Sequence, residues 1–195
     1  MIQYNSEISR KIVHLSSLWI PILYFFSTAK IMLVILGSLS LIAVIVEISR
    51  KISPELNALI DQALGKIMRG SEKNSISGAT YLLLSASLSI LLFDKEVAIF
   101  ALTILIISDT CAALIGRKFG QHKIFEKSLE GSLGFFLSAV IVYYFLVILG
   151  DFALPLRASL LAIFSATILE LFAQKIRLDD NLVVPLVVGL VFSIS

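Results

Sequence analysis

Asp109 stands inside an apolar run, Ser108-Asp109-Thr110-Cys111-Ala112-Ala113-Leu114-Ile115, which leads into Gly116-Arg117-Lys118-Phe119-Gly120. A few residues on comes Lys127-Ser128-Leu129-Glu130-Gly131-Ser132. A charged group at bilayer depth is costly, so such a residue is a functional candidate. A carboxylate among small side chains suits a divalent metal ion, and a metal ion neutralises phosphate oxygens. Gly116, Gly120 and Gly131 would let backbone N–H groups come close to an anion. Arg117 can grip phosphate with two prongs, whereas Lys118, Lys123 and Lys127 act as point charges. The chemistry these residue types favour is phosphate chemistry at a membrane surface.

Four polar residues in or beside apolar segments lie toward one end of those segments: His14, Glu47, Asp109 and Glu170. His14 and Glu170 are candidates for accepting a hydroxyl proton. Glu130 has two open readings, a helix N-terminal charge and a catalytic or metal-binding carboxylate. Asp179-Asp180-Asn181 is the one acidic cluster, and it too reads two ways. Asp180 or Asn181 could cap a helix, or Asp180 could join Asp109 in holding magnesium around a nucleotide.

These residues must be positioned by membrane helices. The chain has 195 residues, of which 58% are hydrophobic and 15% charged. A soluble domain with a wet surface does not easily carry that balance. The fold class expected is all-α, a polytopic bundle of about seven transmembrane helices forming a single integral membrane domain over 1–195. The spans expected are 12–29, 31–48, 74–93, 97–116, 131–150, 152–172 and a short 182–195. No cleavable leader is expected, because the apolar stretch after Lys11 lacks a small-residue cleavage site. Thirteen of the 16 Lys and Arg fall on one side of these spans. The N-terminus is therefore expected in the cytoplasm.

Pro54 opens a connection in which Leu56, Leu59, Ile60, Leu64, Ile67 and Met68 recur at helical spacing, predicting an amphipathic interfacial helix over about 54–69. The nucleotide is expected at the cytoplasmic loop of about 116–132. The lone Cys111 excludes an intramolecular disulfide and any thiolate metal site. Basic residues spread over four membrane-bound loops argue against nucleic acid as a partner.

Several of these blocks resemble a known family, the membrane-bound lipid kinases that include dolichol kinase, phytol kinase and the CTP-dependent diacylglycerol kinase. Glu7, Arg10, Lys11 and His14 are similar to its E-x-x-R-K-x-x-H opening. The likeness continues through Asp109 to Gly120 and Lys127 to Ser132, then through Asp180-Asn181-Leu182 and Pro185. Ser108 departs from it, standing where the group typically has glycine.

The resemblance implies CTP or another nucleoside triphosphate as co-substrate and a lipid alcohol as acceptor, whether polyprenol or dolichol, phytol or diacylglycerol. On that reading Asp109 holds Mg2+ with help from Asp180 or Glu130, and Arg117 and Lys127 stabilise triphosphate charge. Gly116, Gly120, Ser128 and Gly131 line the nucleotide, and His14 or Glu170 takes the proton. The expected location is a bacterial inner membrane with the active site facing the cytoplasm. Two rivals are phosphatidate cytidylyltransferase chemistry, with CTP attacked at its α-phosphorus, and a small non-enzymatic carrier.

Overall fold

A computed structural model describes residues 4–64, 75–125, 127–173, 175 and 178–195. Its elements are α1 (Tyr4–Ser16), α2 (Trp19–Phe26), α3 (Ala29–Ile52), α4 (Pro54–Leu64), α5 (Gly78–Leu92), α6 (Lys95–Phe119), β1 (Lys123–Ile124), β2 (Lys127–Ser128), α7 (Leu129–Leu149), α8 (Leu156–Phe172) and α9 (Asp180–Ser193). Among the described residues the regular structure is thus helical apart from one small antiparallel hairpin, in which Ile124 pairs with Lys127.

The helix carrying Asp109 is the axis of the bundle. Of the apolar window of α6, 67% is buried, against 22% for α3 and 33% for α7. A helix apolar on all sides has no preferred outer face, so it takes the centre. Around it pack α7, α9, α2, α1 and α5, while α8 closes against α7 and α9, and α3 against α5. The core runs through Phe100, Leu102, Leu105, Phe135, Ile163 and Val184, all fully buried. The outer faces of α3 and α7 present Val34, Leu41, Ile45, Leu137, Ile141 and Ile148. Such faces suit a hydrocarbon surrounding.

Among the described residues, three helices are long and apolar enough to cross a membrane, α3, α6 and α7, and α5 and α9 are shorter apolar helices. The expected first span, 12–29, is not one helix. Pro21 cannot donate a hydrogen bond to the carbonyl of Ser17 and its ring crowds that carbonyl, so α1 stops at Ser16 and α2 restarts at Trp19. The turn between them is closed by tight i to i+3 bonds, Ser17 N to His14 O (3.0 Å) and Leu18 N to Leu15 O (3.0 Å). Helix α5 starts at Gly78 rather than 74 because Ser77 caps it, its Oγ accepting from Thr80 N at 3.4 Å. Helix α4 does begin at Pro54. The expected continuation over Ile67 and Met68, with Lys66 and Arg69, lies outside the described residues.

At the end of the bundle remote from the hairpin, charges near the turns are tied to backbone. Lys95 Nζ donates to Phe25 O and Ser27 O, both at 2.9 Å, closing the C-terminus of α2. Glu96 Oε2 accepts from Ala153 N at 2.8 Å.

Candidate active site

The site begins with a close helix crossing. Ser128 caps α7, its Oγ accepting from Gly131 N at 3.1 Å. A methyl group at Gly131 would lie 2.9 Å from Ala112 O and 3.3 Å from Gly116 Cα. One at Gly120 would lie 2.6 Å from Ser128 Oγ, and one at Gly116 3.0 Å from the same atom. In this structure, then, the three glycines expected to admit an anion let α6, α7 and β2 meet around the Ser128 hydroxyl.

That contact fixes Lys127 at the edge of the bundle core. Its Nζ is bonded to Glu170 of α8 and lies 3.3 Å from Asp180 Oδ2 of α9. Asp109 of α6 completes the group: one oxygen from each of Asp109, Glu170 and Asp180 lies within 4.8 Å of the other two. All three carboxylates are buried. On the far side Asp109 is paired with Lys11 of α1, and His14 Nε2 stands 3.6 Å from Asp109 Oδ2 and 3.5 Å from Leu105 O. Lys11 and His14 share one face of α1 because they are three residues apart.

Asp180 is available because α9 is capped by Asp179, ahead of both expected cap residues, Asp180 and Asn181. Asp179 Oδ1 accepts from Asn181 N at 3.0 Å and from Asn181 Nδ2 at 2.8 Å, leaving Asp180 in the first turn to face the other acids.

Three buried acids meeting two lysines and an imidazole leave a site rich in acceptors. Burial by itself would lower the ammonium of Lys127, but Asp180, Glu170 and Asp109 outweigh it and hold the group above the ordinary lysine value. Glu170 Oε2 and Asn181 Oδ1 are buried with no hydrogen-bond partner among the described residues. An oxygen-only donor set with unspent acceptors fits a hard divalent cation, and Asp109, Glu170 and Asp180 are the residues that could hold it.

The remaining candidates lie apart from this cluster. Glu130 accepts from His122 N at 3.1 Å and meets His122 Nδ1 at 2.7 Å, so it ties the base of the hairpin to α7. Arg117 and Lys118 are exposed in the last turn of α6. Glu47 belongs to another buried knot, meeting Arg50 Nη1 at 3.2 Å and accepting from Ser77 N at 2.9 Å and Thr80 Oγ1 at 3.3 Å, which locks α3 to α5. The side chain of Glu7 lies outside the described residues.

A protein named CTP-dependent diacylglycerol kinase 1 from Schizosaccharomyces pombe is 33% identical to this chain over 69% of it and 67% of that protein. The chain belongs to the CTP-dependent lipid kinase family. Within that family, a rice (Oryza sativa) protein named probable phytol kinase 1, chloroplastic, is 29% identical over 93% of this chain and 62% of that protein. An uncharacterized protein of Rickettsia prowazekii is 30% identical over 94% and 91% of the two chains. The chain spans about half (48%) of the namesake diacylglycerol kinase from Saccharomyces cerevisiae. No protein-family model matches the chain, and no solved structure matches it.

For a lipid kinase built this way, the residue that sequence reasoning left without a site role is Lys11. Its signal was present, since a lysine and a histidine three positions apart present both groups to one neighbour.

Proposed function

We propose that this lipid kinase transfers the γ-phosphoryl group of CTP to the hydroxyl of a membrane lipid alcohol at the cytoplasmic face. The observation that carries the reading is the meeting of Asp109, Glu170 and Asp180 beside Lys127. In-line phosphoryl transfer needs little covalent help from protein; it needs positioned charge. A partly buried ammonium and a set of acceptors for a divalent ion are that charge.

On this reading the triphosphate lies over the 116–132 loop, with Lys127 against its terminal phosphates and Arg117 at its solvent side. Mg2+ held by Asp109, Glu170 and Asp180 would supply neutralisation of the oxygens on the transferring group. The lipid hydroxyl oxygen forms a bond to the γ-phosphorus, the bond to the β-phosphate bridging oxygen breaks, and CDP leaves. The hydroxyl proton passes to His14, whose imidazole stands beside Asp109 and whose charged form that carboxylate stabilises. Glu170, engaged by Lys127, serves the metal rather than the proton.

The acceptor chain lies among the outward apolar faces, in a single membrane domain of about seven spans with its N-terminus in the cytoplasm, in a bacterial inner membrane. The relatives' names make diacylglycerol and phytol the first acceptors to try, with polyprenol third.

The test uses purified protein in detergent with magnesium, these three alcohols and phosphatidate, and CTP labelled at the α or the γ phosphate. Label should enter lipid from the γ position only. Entry from the α position alone would replace the kinase with a cytidylyltransferase, and no entry from either would reject the donor.

A further inference from the structure

The hairpin places an aromatic ring where hairpins normally place glycine or asparagine. Phe125 follows β1 with φ 58°, in the left-handed region that bulky residues avoid. Its side chain is not there to fill the core, since the residue is 55% exposed. Two groups brace it. The ring of Phe172 meets it edge to face, with centroids 5.9 Å apart and planes at 63°, and Lys175 Nζ lies 4.7 Å from its centroid. Unfavourable backbone, exposure and bracing together mark a ring held out for a purpose.

Its address indicates which purpose. Phe125 is two residues before Lys127, and its ring partner Phe172 ends α8, the helix that carries Glu170, so the hairpin and α8 both contribute to the platform and to the charged cluster. Residues two apart in a chain can be separated by at most about 7 Å. A nucleotide with its terminal phosphates at Lys127 therefore has its base within reach of Phe125. Aromatic rings bind bases by stacking irrespective of base identity. Identity must come from a polar group, and Lys175 supplies donors only. Cytosine offers acceptors at O2 and N3, whereas uracil carries a hydrogen at N3.

We propose that Phe125, braced by Phe172, is the stacking surface for the pyrimidine of the donor nucleotide, and that Lys175 reads the acceptor edge of cytosine. This deepens the CTP-kinase reading and rests on it for the identity of the nucleotide.

The decisive experiment cross-links 5-iodo-CTP to the purified full chain by near-ultraviolet light and maps the adduct by mass spectrometry, beside steady-state kinetics of variants. The adduct should map to Phe125. Phe125→Ala should raise the KM for CTP about ten-fold with kcat within about two-fold, and Phe125→Tyr should restore it. Lys175→Ala should narrow the preference for CTP over UTP. An adduct elsewhere with γ-label transfer intact overturns the platform alone. An adduct at Phe125 with label transferred from the α position overturns the kinase reading and leaves the platform standing. Unchanged KM for CTP in Phe125→Ala, with weaker partition into phosphatidylglycerol vesicles, would make the ring a membrane anchor and sink the proposal.

Discussion

Lys11 of α1 and Asp109 of α6, 98 positions apart in the chain, form a buried ion pair. The pair couples the first helix to the axis of the bundle, and the His14 imidazole is the other close neighbour of Asp109 on that side. Removing one member of a buried pair strands the other, at a cost of about 3 kcal/mol. Lys11→Met should therefore lower the melting midpoint in detergent and abolish most transfer. Asp109→Asn in the Lys11→Met background should add far less destabilisation than it does alone. Strictly additive losses in that double-mutant cycle would mean the two side chains act independently.

The acids can be separated from general fold effects by titrating metal. Asp180→Asn keeps shape and removes charge, so it should raise the magnesium concentration for half-maximal transfer by at least about ten-fold. Its melting midpoint without metal should fall less than that of Lys11→Met, because Lys127 keeps its bond to Glu170. The same magnesium dependence in parent and variant would remove Asp180 from the metal set.

A second contrast concerns helix packing. Gly131→Ala drives a methyl group toward Ala112 O and Gly116 Cα, and backbone cannot step aside, so a loss of about 1–3 kcal/mol is expected. Gly37→Ala meets nothing within 4 Å and should be neutral or stabilise α3 by up to about 1 kcal/mol. Thermal unfolding of the two variants side by side checks this. Equal midpoints would mean α6 and α7 are not held together at Gly131.

On the proposed reading, the pH dependence of nucleotide binding follows from Lys127. Its ammonium lies above the ordinary lysine value of 10.5. A cation raised in this way keeps its favourable contacts at every pH below that value and loses them only as pH climbs past its own, higher one. The KM for CTP should thus stay flat from about pH 7 to about pH 9.5. A rise centred below about pH 9 would show that Lys127 of the free enzyme sheds its proton below the ordinary lysine value.

Much of the charged cluster can be read from sequence because Asp109 and Glu170 interrupt apolar runs and their cost is visible there. Lys11 was harder to place, since a lysine before the first apolar stretch also satisfies the positive-inside pattern. Hydropathy runs straight through 12–29 and hides the break that Pro21 imposes. At α9 the cap falls on Asp179, just ahead of the two residues expected, the scale on which helix ends are usually misread. The glycines show a third kind of limit: their spacing shows that something comes close, and only packing shows that it is another helix.

The order of the charges along the chain bears on how the protein is made. Lys11 precedes Asp109, and Lys127 precedes both Glu170 and Asp180. During synthesis each acid thus leaves the ribosome after the cation that will neutralise it. A nascent helix entering the bilayer with a bare carboxylate would otherwise resist insertion. The ion pairs of this cluster are thus ordered cation first, so each can close as its acid-bearing helix arrives.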